Sequence, residues 1–456
     1  MDSKAENPMA VRSTSSHDTS TPSSPPTMNP TDNEPFTASF WSKDARTSCM
    51  RKAYITTLAR GTLLTAVAIL AVLSIYWGAL WKIQDGVHNL NGVIVDFDGG
   101  PMGQVIQDVA KNITGPKTSV TWSSAPPSSF PNGPTDVAQA VIDEVYWIAI
   151  VINPAATAKL AAAVSTADPS YNSSEAVSIY AVEARNENSY PIFVAPPPQE
   201  LMNMAIKLFA NQHAMQLASN SNITHLLSNA PGVVTQPMYY TLVNLRPFDV
   251  FAASAADFVG LIYLLIISFL ITNLNFGARM ETGLARHLTL RSLIQVRIVS
   301  AVGIYFFLSL IFALLSLAFQ IPFSRTISGG FVIFWILCWM AMSALGLALE
   351  TLVTILTPRF TPYFMILWII VNVSVCFYPI ELQPPIYRYG FASPFYNVSR
   401  AVRTIIFGTR NQIGLNFGVQ FAWIAVSLIT LPTFQWFKRR GDVRQWEANR
   451  GAAKVP

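Results

Sequence analysis

"GTLLTAVAILAVLSIYWGALW", Gly61–Trp81, is an uninterrupted apolar run with no charged residue. A helix needs about 20 such residues to cross the hydrocarbon core of a bilayer. The run begins too far along the chain for a cleaved signal peptide and ends in aromatics suited to a membrane surface, so it reads as a retained signal anchor. Arg46, Arg51, Lys52 and Arg60 precede it, and only Lys82 follows closely. The excess of positive charge predicts a cytosolic N-terminus and places residue 82 outside.

Composition agrees with a membrane protein. Of 456 residues, 51% are hydrophobic and 12% charged, against roughly 25% charged in soluble proteins. The net charge of +5 resides largely beside the apolar runs and gives no reason to expect nucleic-acid binding. The three cysteines, Cys49, Cys338 and Cys376, have no metal-ligand spacing. Residues 1–40, rich in Ser, Thr, Pro and Asn, cannot bury enough apolar surface to offset ordering, which predicts a disordered cytosolic tail. Residues 41–60 form a basic juxtamembrane segment suited to an amphipathic helix on the inner leaflet. Cys49 within it is a candidate for palmitoylation.

Further apolar runs predict spans near Ala255–Leu274, Ile298–Phe319, Phe331–Leu356, Pro362–Ile380 and Phe417–Phe437. Between the first two of these lies a basic loop with Arg279, Arg286, Arg291 and Arg297, expected in the cytosol with the basic tail 438–456. Six spans with both ends inside satisfy these charges. The expected fold class is therefore an α-helical multi-pass membrane protein, its spans 2–6 gathered in a bundle over 255–437. Residues 381–416 conflict with the charge rule, because they should lie outside yet carry Arg388, Arg400, Arg403 and Arg410. Apolar residues at helical spacing over 393–408 predict an amphipathic or re-entrant helix at the outer surface.

Residues 82–250 form an exported domain between spans one and two. "GVIVDFD", "YWIAIVI" and "SIYAVEA" read as strands. "PMGQVIQDVAKNI", "TDVAQAVIDEV" (capped by Thr135 or Asp136), "PAATAKLAAAVS" and "PPPQELMNMAIKLFANQHAMQLAS" read as helices. Their alternation predicts an α/β or α+β domain. Asn112, Asn172, Asn222 and Asn397 head N-x-Ser/Thr sequons on the predicted outer side and are candidate glycan acceptors. The sequon at Asn372 lies within the fifth span and should be silent.

Asp96 and Asp98 in "NLNGVIVDFDGG" resemble the nucleophile loop of the haloacid-dehalogenase phosphatases. Gly99, Gly100 and Pro101 follow where Thr or Val is usual, and no partner aspartates for magnesium occur downstream in the domain. A carboxylate nucleophile without metal ligands has no route to phosphoryl transfer, so the stretch reads as a strand end. "GPKTS" at Gly115 lacks the earlier glycine of a phosphate loop. The five histidines have no zinc spacing and no Gly-x-Ser-x-Gly elbow is present. The expectation is a non-enzyme without metal or cofactor.

Glu350, in "GLALETLVTIL", is the clearest ionisable residue within a span. An intramembrane carboxylate is a candidate for a proton or substrate path. The structural alternative is pairing with Arg279 or Arg297, since Glu350 lies only about 9 Å from the inner end of its helix at 1.5 Å per residue. Asp257 reads as interfacial.

One amino-terminal span, a large exported domain and five clustered spans resemble the permease class of ABC-2 exporters. More closely, "YWGALWKIQDGVHNLNGVIVDFDGG", "YWIAIVINPAATAKL" and "MYYTLVNLRPFDV" are similar to fungal membrane proteins related to the yeast nitrosoguanidine-resistance protein, over about residues 60–440. That resemblance implies a multi-pass protein of the plasma membrane or endomembranes, linked to drug resistance and lipid asymmetry. It implies two functional readings: export of amphipathic compounds or lipids, or non-transporting regulation of lipid asymmetry or membrane-protein trafficking. Expected partners are membrane lipids, a separate ATPase docking on the basic loop 276–297, a lipid flippase, or a second copy of the chain. The resemblance assigns no catalytic residues.

Overall fold

The computed structural model describes residues 38–113, 117–218, 223–356 and 360–452. The expected tail up to residue 37 and Asn222 lie outside them. The chain divides into two units, Met1–Ala66 and Val67–Pro456.

In the first unit a helix starts at Ala45. Asp44 caps it, accepting from the Thr47 amide at 2.7 Å. Arg51 donates to the carbonyls of Phe40 at 2.8 Å and Ser42 at 3.1 Å, tying the entering chain to the helix. The basic segment 41–60 is thus largely helical, part of the long helical stretch Ala45–Leu80 (α1), where a separate surface helix was expected. Cys49 is exposed.

In the second unit a five-stranded sheet has the order β2-β1-β3-β4-β5. Its strands are Asn91–Asp96 (β1), Thr121–Ala125 (β2), Ile148–Ile152 (β3), Val177–Ala181 (β4) and Tyr240–Asn244 (β5). β1 runs parallel to β2 and β3, β4 is antiparallel to β3, and β5 is parallel to β4. β3 is buried at every position, which is why it reads as a continuous apolar run without alternation. The pleat sends Ile94, Ile148 and Ile150 into one core and Val93, Val95 and Val151 into another. Helices Pro101–Asn112 (α2), Ala156–Thr166 (α4) and Pro196–Leu217 (α5) supply the first core, and Pro134–Ile142 (α3) the second. A sheet with a buried layer on each face results.

Two local expectations are corrected. α3 begins at Pro134 behind Gly133, whose φ of 73° suits glycine, and neither Thr135 nor Asp136 caps it. Asp136 instead accepts from the Asn132 amide and side chain at 2.8 and 3.0 Å. The edge strands β2 and β5 were not expected. β2 is exposed at three of its five residues and β5 is partly covered at four of five, so neither shows the fully buried run of β3.

Five helical stretches are long and apolar enough to cross a membrane among the described residues: α1, Phe251–Glu281, Leu290–Ala318 (α7), Gly330–Ile355 (α8) and Ile413–Arg450. The second ends in helix Val259–Glu281 (α6), and the last lies within helix Ile413–Ala452 (α11). α8 is central, with 61% of its most apolar window buried against 6% for α1. Gly346 brings α8 against α7, because a Cβ there would lie 2.2 Å from Tyr305 Oη.

The expected span 362–380 is shorter than predicted. Its helix, Thr361–Val373 (α9), has 13 residues, about 20 Å at 1.5 Å each, whereas the hydrocarbon core is about 30 Å thick. Near its end, Asn372 Oδ1 accepts from Ser393 Oγ at 2.7 Å and the Phe395 amide at 3.3 Å, capping helix Pro394–Phe407 (α10). α10 falls within the segment 393–408, expected to be an amphipathic or re-entrant helix, and it packs within the protein. All its residues except Tyr396 and Arg400 are buried. The tail expected at 438–456 continues α11 as helix to Ala452.

Candidate functional site: two charge clusters and a basic cleft

Asp96 sits where β1 ends, and its Oδ1 accepts from the amides of Asp98 and Gly99 at 3.0 and 2.9 Å. Asp98 accepts from the Thr157 amide at 3.1 Å and from the Thr157 hydroxyl, at the start of α4. α2 passes so close that a Cβ on Gly103 would lie 1.9 Å from Asp96 Oδ2. Both carboxylates are engaged in turning the chain, and the space beside Asp96 is filled by helix.

Glu350 is fully buried on α8. Its Oε2 receives Arg297 Nη2 at 2.6 Å and Nε at 3.0 Å. Arg279 reaches the same carboxylate through two bonds of 3.2 Å. Arg297 Nη1 also donates to Thr354 at 2.9 Å and Gln435 at 2.6 Å, and its Nη2 to the Glu350 carbonyl. Four helices, α6, α7, α8 and α11, are thereby joined at one point. A buried carboxylate is tolerable only with such pairing. Both expected arginine partners are present together, so Arg279 and Arg297 are not free to dock another protein as expected. Arg286 and Arg291 remain exposed.

Directly against this cluster opens a cleft of about 850 Å³ between the ends of α6 and α7 and the extended α11. Its cations are Arg279, Arg286, Arg297, Lys438 and Arg439, opposed in the lining by Asp442. Arg439 donates to the carbonyls of Ala285, at 3.0 Å, and Leu288, holding α11 to the loop between α6 and α7. Phe276, Leu293 and Trp446 supply an apolar wall.

A second cluster joins α10 to the sheet region. Arg403 Nε meets Asp257 Oδ2 at 2.8 Å, its Nη2 meets Glu187 Oε2 at 2.7 Å, and its Nη1 donates to the Arg185 carbonyl at 2.7 Å. Arg400 Nη2 meets Glu144 Oε2 at 2.5 Å. Arg185 lies 3.3 Å above the Trp147 ring, with Glu144 at 4.0 Å and Glu381 at 3.5 Å. Burial pushes the Arg185 guanidinium down, against the pull of Glu144 and Glu381. Asp257, expected at the interface, lies near the start of the stretch Phe251–Glu281 and is fully buried within the protein. Two of the four arginines of the 381–416 loop that conflict with the charge rule, Arg400 and Arg403, are thus neutralised by protein carboxylates, while Arg388 and Arg410 are exposed. Nothing in the local sequence around Glu144, Arg185 or Glu187 marked them as partners.

Asn112 and Asn172 are exposed. Asn397 is 1% exposed, and its amide donates to the carbonyls of Phe391 and Ser393, each at 2.9 Å. That amide has no room for a glycan, which corrects its place among the candidates. Asn372 is likewise buried.

A family described as "Protein of unknown function (DUF3533)" matches residues 61–429. An uncharacterized endoplasmic reticulum membrane protein of Saccharomyces cerevisiae is 26% identical over 425 residues, covering 87% of this chain and 82% of the relative. No solved structure matches. The apolar helices and this relative together mark the chain as an integral membrane protein.

Proposed function

Because the chain belongs to the DUF3533 family, we propose that it is an endomembrane or plasma-membrane protein that handles amphipathic compounds or lipids in the manner of an ABC-2-type permease. One observation carries this reading: the discontinuous segment formed by α9 and α10. α9 follows α8 in the chain and ends at Val373, next to Asn372, which caps α10. On this reading the thirteen-residue helix and the turns after it serve as a sixth crossing, with both termini cytosolic and the sheet on the other side. Broken helices and buried charges within a membrane bundle belong to protein-lined pathways in transporters. Contribution to drug resistance follows from export of toxic amphiphiles. The protein is read as a non-enzyme, and a separate ATPase supplies the energy.

The full-length protein in liposomes containing a fluorescent phospholipid or amphipathic cation tests this. Movement that depends on the protein, alone or with a co-purified ATPase, supports export. No movement under either condition overturns it. A second reading, a non-transporting regulator of lipid asymmetry or of membrane-protein trafficking, is favoured by the ion clusters that clamp α8 and α10. It predicts normal assembly with a flippase and no flux.

A further inference from the structure

We propose that the cleft between α6, α7 and α11 is a binding site for an anionic glycerophospholipid of the cytosolic leaflet. The inference stands whether or not the protein transports.

The cleft lining supplies the two kinds of surface such a molecule requires. Among its cations are Arg286 and Lys438, both exposed. Neither side chain has a hydrogen bond or ion pair among the described residues. By contrast, Arg279 and Arg297 are held by Glu350, and Arg439 by backbone carbonyls. Those three are fixed in place and contribute positive potential, while Arg286 and Lys438 can close on a phosphate. Five cations face the single carboxylate of Asp442 in the lining, and Glu350 beneath offsets only one of them. The same lining includes Phe276, Leu293 and Trp446, apolar groups that an acyl chain can contact.

Position selects a lipid. The cleft lies where α6 ends and α7 begins, beside the basic part of α11. By the charge rule this is the cytosolic side, where anionic lipids concentrate. A soluble phosphate would use the cations and leave the apolar wall in water. An acidic segment of a partner protein would use the rim, and it is one of the outcomes tested below.

The test uses the full-length protein in a neutral detergent, with retained lipid measured by native mass spectrometry. Phosphatidylserine, phosphatidylcholine and soluble glycerol 3-phosphate are the probes. Phosphatidylserine should be retained over phosphatidylcholine and should resist displacement by glycerol 3-phosphate. Arg286→Gln or Lys438→Gln should each lower retention roughly five-fold, and the pair roughly thirty-fold. Arg291→Gln, an exposed cation outside the cleft lining, should change nothing. Unchanged unfolding temperatures verify that the variants fold. Equal retention of phosphatidylcholine, no loss in the double variant, or equal loss in Arg291→Gln overturns the proposal. So does displacement by glycerol 3-phosphate, or an acidic protein that co-purifies in the cleft and excludes lipid. Flux in liposomes is read separately, so failure of export leaves this result intact.

Discussion

Arg297 and Glu350, 53 residues apart in sequence and on adjoining helices, meet at 2.6 Å with side chains 3% and 0% exposed. Arg279 closes the other side of the carboxylate. The cluster fixes α6, α7 and α11 to α8 at the wall of the basic cleft, so its integrity decides whether that cleft exists.

Glu350→Gln leaves two buried arginines without their counter-charge. Removing one partner of a buried pair costs about 3–5 kcal/mol. Chemical unfolding in detergent should show a loss of that size. Arg291→Gln should be silent. Unchanged stability in Glu350→Gln would show that the cluster does not hold the bundle.

Arg403→Met strips Asp257 and Glu187 of their cation. We expect a loss of similar size, about 3–5 kcal/mol, with earlier proteolysis between the sheet region and α10. Asp257→Asn combined with Arg403→Met should cost less than the sum of the single changes, because the two groups are in direct contact. Additive losses would disprove that coupling.

Gly346→Val tests the close approach of α7 and α8. The added Cβ would lie 2.2 Å from Tyr305 Oη and 2.5 Å from Cζ. Overpacking of this kind costs about 1–3 kcal/mol. Tyr305→Phe should restore only part of it, since removing the hydroxyl leaves the ring in place. Thermal unfolding of the three variants gives the comparison.

His213 on α5 is buried and stacks on Phe209 with ring centroids 5.9 Å apart. Burial pushes its pKa below the ordinary 6.5. The unfolded chain therefore binds the proton first as pH falls. Stability present above pH 6.5 should be lost from there down towards the lower folded value. His213→Phe keeps the stacked ring and removes the titration. Its stability relative to the native protein should rise across that window, and parallel curves would contradict the assignment.

Glycosidase digestion tests the sidedness of the sheet region. With that region exported, Asn172→Gln should abolish one mobility shift if the exposed Asn172 is used as an acceptor. Asn397→Gln should leave the pattern unchanged, because its amide is buried and bonded. A glycan on Asn397 would require α10 to be exposed when the sugar is added.

Some of this was legible locally. Long apolar runs, the apolar β1 and β3 and the helix within 393–408 depend on composition and spacing over a few turns. α9 was overread because apolar residues continue past Val373, where the helix ends and the chain turns. The edge strands β2 and β5 have no fully buried position, so neither carries the continuous apolar run that marks β3.

Composition and local pattern suffice to mark this chain as one that enters a membrane, to locate its basic stretches and to place an α/β region after the first apolar run. What its intramembrane and loop charges do depends on contacts between distant segments. Glu144 and Arg400 are 256 residues apart and Asp257 and Arg403 are 146 apart. Hydrophobic burial is a property of each segment, since any apolar run gains by leaving water. The cost of a buried charge is relieved only by a particular partner at hydrogen-bonding distance. Which partner that is depends on how the helices and sheet come together.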